Sequence, residues 1–168
     1  MKRIFSALCL VSMLWIASPA FADTKTHKAS QVSFWLPDNW TLEGEDKDQL
    51  QASDPKGQVS LLFMVSADAK DMKTAVAALD ATIAKVATDV KLIAPAKKVT
   101  LNGMETAVVD ATGKADGKAV ELSILIIKTP SKKFLTIFGI LEADQKKVHE
   151  ASLRKIVESI KPMKKFGD

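Results

Sequence analysis

From residue 31 onward, apolar and polar positions alternate. Val32, Phe34 and Leu36 lie on one side of Ser33 and Trp35, the period of two expected for a strand. Pro37-Asp38-Asn39 supplies turn residues, and a strand resumes around Trp40 and Leu42. A charged turn over residues 43–48, a short strand over 50–52, the β-turn Asp54-Pro55-Lys56-Gly57 and a strand over 59–65 follow. The period then lengthens. Met72, Val76, Leu79, Ile83, Val86 and Val90 recur in steps of three and four, so residues 66–90 predict one amphipathic helix packed on the sheet. Ser66 or Asp68 can cap its start, Asp68 and Asp71 suit its positive end, and Pro95 marks that it has ended.

A second β block begins at residue 98. Strands over 98–101 and 104–111 flank Asn102-Gly103, the strongest short hairpin signal, and residues 113–117 predict the next turn. Residues 119–128 and 134–141 predict two long strands joined by Thr129-Pro130-Ser131-Lys132. Their nearly continuous apolar character predicts central strands covered on both faces. Residues 143–160 return to helical spacing, with Val148, Leu153, Ile156, Val157 and Ile160 inward and Pro162 terminating. The order strands–helix–strands–helix, with hairpin-length links, predicts an α+β domain: a mainly antiparallel β-sheet sandwiched by two helices. The domain spans residues 31–162, between a polar, unpatterned lead-in at 23–30 expected to be flexible and a basic tail at 163–168.

The first 22 residues have another pattern. Lys2 and Arg3 precede an apolar run over 4–16, and Ala20-Phe21-Ala22 supplies small residues at a cleavage position. That arrangement reads as a secretory signal peptide, too short to span a bilayer comfortably. Cleavage near Ala22 would place the protein in the periplasm or outside the cell. Removing 22 of the 168 residues leaves 146, enough for one domain with a real core. The net charge falls from +4 to +2 as Lys2 and Arg3 leave. Cys9 leaves as well, so the mature chain has no disulfide, thiolate nucleophile or thiolate metal site. Arg154 is then the only arginine, and tyrosine is absent, an inventory that argues against nucleic-acid binding.

In order along the chain, Phe34-Trp35-Leu36-Pro37-Asp38-Asn39-Trp40, Asp54-Pro55-Lys56-Gly57, Leu101-Asn102-Gly103 and Ile156-Val157-Glu158-Ser159-Ile160-Lys161-Pro162 resemble the PsbP-like α/β/α sandwich family. The family is named for an extrinsic subunit of photosystem II and includes small exported bacterial proteins. The resemblance covers roughly residues 31–162. It implies a non-enzymatic binding or assembly module, with no catalytic motif to carry over.

The residues are poor in chemistry. His27 falls in the lead-in and His149 in the last helix beside Glu150 and Lys147, where a structural or solvated histidine is expected. No G-x-S-x-G elbow and no phosphate-binding glycine loop occurs. The acidic turn Glu43, Glu45, Asp46, Asp48 lacks the EF-hand pattern and reads as a solvated loop. No catalytic, cofactor or metal residue is therefore assigned, and no enzyme is expected. Lysine pairs at 97–98, 132–133, 146–147 and 164–165 read as solubilising surface, or as a basic face for an acidic partner or anionic lipid headgroups. Candidate partner contacts are Trp35, if exposed, and Lys161, Lys164, Lys165 and Phe166 at the tail. The expected function is that of an exported accessory protein docking a larger protein partner in the cell envelope. The alternative is a carrier of a small apolar ligand or lipid, using a cavity between sheet and helix. A closed core with an exposed aromatic patch would mark the first, and an internal apolar cavity the second.

Overall fold

The computed structural model describes residues 24–44, 48–66 and 69–163. The leader, Asp68 of the expected helix start, Glu45 and Asp46 of the acidic turn, and the tail residues Lys164, Lys165 and Phe166 lie outside the described residues.

The central layer is an antiparallel sheet. Its spatial order is β3 (Thr41–Glu43), β4 (Gln49–Ser53), β5 (Val59–Ser66), β10 (Phe134–Glu142), β9 (Lys118–Lys128), β8 (Met104–Ala115), with β7 (Lys97–Leu101) and β6 (Thr88–Leu92) both pairing with β8. Turn chemistry sets the registers. Asn102 and Gly103 take positive φ of 48° and 82°, the mirror-image turn whose twist suits a two-residue hairpin, so Leu101 stands opposite Met104. Asp54 closes the β4–β5 turn with its carboxylate, accepting from the Val59 and Lys56 backbone N–H at 2.7 and 3.1 Å.

Because side chains alternate, each strand serves two cores. On one face, Ala107, Val109, Leu122, Ile124, Ile126 and Phe138 pack beneath α1 (Met72–Ala77) and α2 (Leu79–Val86). On the other, Phe63, Leu125, Leu135 and Ile137 pack beneath α3 (Lys146–Ser159) and a small second sheet. In that sheet β2 (Val32–Trp35) lies between β1 (Thr24–His27) and β11 (Lys161–Pro162). Phe34 of β2 stacks on Phe63 of β5 with ring centroids 4.5 Å apart, joining the two sheets. The α+β class and the antiparallel sheet between helical layers are as expected.

Four expectations change. Residues 24–30 are not a flexible lead-in: Thr24–His27 pairs with β2 and a 3-10 turn, Lys28–Ser30, follows. His27 is fully buried there, its Nδ1 2.8 Å from Ser30 Oγ and its ring against Phe63, so it is not solvated. The helix expected over 66–90 is two short helices broken at Ala78, capped by Asp71 accepting from the Thr74 N–H at 2.7 Å. It ends at Val86 because the far half of β8, beyond the reach of β7, leaves backbone groups to pair. Thr88–Leu92, with two β-branched residues, satisfies them better as a strand. Gly113 lies within β8, and the turn is only Asp116-Gly117.

The fourth change concerns α3. Val148 is 68% exposed, whereas His149 is half-buried. At 100° per residue, His149 falls between Ile156 and Ile160 on the helix wheel, and Val148 lies about 80° away from Ile156. His149 Nε2 is buried without a hydrogen-bond partner among the described residues.

Candidate functional site: a groove beneath the last helix

The two faces of the sheet are not equally covered. α3 crosses the β2 side and leaves a groove of about 590 Å³ between itself and the sheet. Three cross-strand ranks make the floor. Phe63, Ile137 and Leu125 stand side by side on β5, β10 and β9, and Val59, Leu141 and Glu121 form a parallel rank. Between them runs Leu61–Gly139–Ser123–Asp110, across four strands.

That middle rank shapes the groove. Gly139 lets Leu61 and the β9 backbone approach closely, since a Cβ there would be crowded by Ser123 O at 3.2 Å and would touch Leu61 Cδ2 at 3.5 Å. A glycine inside a strand weakens the strand and commonly marks a close approach by something else. Polarity rises along the rank: Leu61 is buried, Ser123 and Asp110 are exposed, and Ser123 Oγ donates to Asp110 Oδ1 at 2.8 Å.

The wall is α3. Leu153 and Val157 are half-buried and face the groove, while Ile156 and Ile160 sink into the core. Both ends of the wall are tied. Lys146 Nζ donates to Glu121 at 2.7 Å, and this hydrogen bond and opposite charge hold the ammonium pKa above the ordinary lysine value. At the other end, Asn102 Nδ2 donates to the carbonyls of Glu158 and Ile160 at 2.8 and 2.7 Å. Asn102 thus serves both as the turn residue of β7–β8 and as a clamp on the otherwise unsatisfied carbonyls at the helix end. Ser159 Oγ adds a bond from the Trp35 N–H at 2.8 Å. Glu150 and Arg154 pair along the outer rim at 3.1 Å.

The residues singled out from the sequence stand elsewhere. Trp35 is half-buried and its ring is covered by Lys155, with Nζ 3.8 Å from the centroid. Lys161 is exposed and paired in register with Ser33. Neither lines the groove. Gly139, Ser123 and Asp110 were not singled out, although a lone Gly in the apolar run 134–141 and polar residues at alternate positions 121 and 123 were visible signals.

Neither histidine lines the groove, so Ser123 and Asp110 have no imidazole beside them to form an acyl-transfer site. Among the described residues no group of three or more His, Cys, Asp or Glu is placed to hold a metal ion, and no helix is long and apolar enough to cross a membrane.

No protein-family model matches the chain, and no curated protein matches it either. Solved structures do. The cyanobacterial PsbP (CyanoP) of Synechocystis sp. PCC 6803 superposes with a TM-score of 0.61 at 11% identity, covering 82% of this chain and 90% of that one. PA94, a protein of unknown function from Pseudomonas aeruginosa, gives a TM-score of 0.55 at 15% identity, covering 85% and 98%. LpqN of Mycobacterium tuberculosis, involved in cell envelope biogenesis, also gives a TM-score of 0.55 at 15% identity, covering 77% and 82%. At such identities the likeness is one of fold, and together with the layer order it makes this a PsbP-like α/β/α sandwich fold.

Proposed function

We propose that the protein is an exported, non-enzymatic accessory protein of the cell envelope, and that it works by binding a small apolar ligand in the groove beneath α3. The observation that carries this reading is the groove itself. Its volume of about 590 Å³ falls within the range of roughly 300–1,000 Å³ usual for small-molecule sites. Its apolar floor is interrupted by a strand glycine, with a few polar groups at one end. Trp35, which would have anchored a docking face if exposed, is covered by Lys155. The leader pattern supports export, and the cell-envelope role of LpqN, a protein of the same fold, is compatible with an envelope setting.

One observation favours docking of a larger partner as a second reading. Leu92 and Ile93 are 63% and 60% exposed at the sheet edge, and Ile93 borders the groove mouth.

Binding of the neutral apolar fluorophore N-phenyl-1-naphthylamine to the purified mature protein tests the ligand-binding reading. Saturable 1:1 enhancement is expected, lost in Val157→Trp, which fills the groove from the helix wall, and retained in Lys85→Ala on the exposed side of α2. No enhancement, or enhancement indifferent to Val157→Trp, would reject it. Ser123→Phe fills the same space from the exposed floor and serves if Val157→Trp folds poorly.

A further inference from the structure

The polarity of the groove defines the chemistry of what it holds, and the inference rests on the ligand-binding reading above. Along the middle rank the floor passes from Leu61, over Gly139, to Ser123 and Asp110. Three inter-strand spacings separate the ends, roughly 14 Å, about the length of an extended ten-carbon chain. One end offers aliphatic surface, and the other offers a carboxylate held in place by a hydroxyl.

The charges around the groove are unequal. Four carboxylates line it (Asp110, Glu121, Glu150 and Glu158) against two cations, Lys146 and Arg154. Each cation already has a carboxylate: Lys146 has Glu121, and Arg154 has Glu150. Lys146 is also within electrostatic reach of Asp110 and Glu150, so the lining as a whole carries a net two negative charges, with Asp110 at the polar end of the floor. An anionic headgroup lying there would add to the net negative charge of the lining, whereas a protonated amine would offset it.

We propose that the groove binds a small single-chain amphiphile with a protonated amine, its apolar chain lying over Gly139 toward Leu61 and its ammonium group at Asp110. The absence of a side chain at Gly139 keeps the middle of the floor low beside Leu61, and the Ser123 hydroxyl holds the Asp110 carboxylate at the polar end. Selectivity is modest because the ion pair forms at an exposed mouth, where such pairs are weak and screened by salt.

Calorimetric titration of the mature protein at pH 7 and low ionic strength, with decylamine, decanol and decanoate below their micelle concentrations, tests the proposal. The expected order is decylamine tightest, then decanol, then decanoate, with decylamine about three- to tenfold tighter than decanoate, the scale of one partly exposed ion pair. Asp110→Asn should abolish the advantage of decylamine and leave decanol unchanged. Decanoate binding as tightly as decylamine, or an undiminished amine preference in Asp110→Asn, would overturn the proposal. In that case decanol binding that is lost in Val157→Trp would leave the groove standing as an apolar site. Failure of all three probes to bind would overturn the proposal and the groove reading together.

Discussion

The two faces of the central sheet are made by the same strands and are finished differently. Under α1 and α2, small residues on both layers let the helices lie close: Ala75 and Ala87 from the helical side meet Ala107 and Ala111 from β8, all nearly inaccessible. A pocket beside α1 and α2 measures about 140 Å³. Under α3 the same strands present a rank that runs from buried Leu61 through Gly139 to exposed Ser123 and Asp110, and the space is about 590 Å³. A shift of one residue along β9 separates Leu122 in the closed core from Ser123 in the open groove. Both faces carry a buried core, and on the α3 side that core includes the Phe34–Phe63 stack beside the open groove.

The comparison can be broken at several points. The largest effect is expected where α3, β2 and the sheet meet. Phe63→Ala removes a fully buried ring stacked on Phe34 and should cost about 3–5 kcal/mol in denaturant unfolding. A cost near 1 kcal/mol would mean the groove face has no true core beside it. Next comes a matched pair of enlargements. Ala107→Leu on the closed face should destabilise by about 1–3 kcal/mol through overpacking, while Ser123→Leu in the groove should stay within about 0.5 kcal/mol. Equal costs would erase the distinction between the faces.

Smaller effects sharpen it. Asn102→Ala removes two hydrogen bonds to the end of α3 and should cost about 1–2 kcal/mol, with faster amide exchange in the last turn of that helix and none in α1. The pH dependence should also divide by face. Asp71, which caps α1, has its carboxylate pKa lowered below 3.8 by its hydrogen bonds to the Thr74 N–H and hydroxyl. Its contribution is present above the ordinary carboxylate pKa and is lost as pH falls through the lowered value. Lys146 and Lys118 have pKa values raised above 10.5 by hydrogen bonds to Glu121 and Glu142 and by their charge. Their contributions are present below 10.5 and are lost as pH rises through the raised values. Amide exchange should therefore quicken first in α1 below about pH 4 and at the start of α3 above about pH 10.5. Both helices responding at the same extreme would contradict the assignment.

Much of the fold was legible because it is local. The hairpin at Asn102-Gly103, the Asp54 turn and the alternation in 32–36 each state their geometry in neighbouring residues. The continuous helix over 66–90 failed because the competing interest lay far away, on the unpaired half of β8. The lead-in failed similarly, since the partner of Thr24–His27 is β2 and its burial depends on Phe63. The steps His149, Leu153, Ile156 and Ile160 share one side of α3, whereas Val148 is apolar but lies off that side and is exposed. The groove was half legible. A cavity between sheet and helix was expected as the mark of a carrier, but its floor depends on registers that bring residues 61, 110, 123 and 139 into one rank. Nothing in their sequence spacing states that adjacency.

Amide chemical-shift mapping of the mature protein titrated with decanol is the most direct test of a groove that binds apolar ligands. The account predicts saturable shifts at Gly139, Ser123, Leu153 and Val157, with Leu79 and Ile83 under the closed face unmoved. Shifts centred on α1 and α2, or no saturable shift at all, would contradict it.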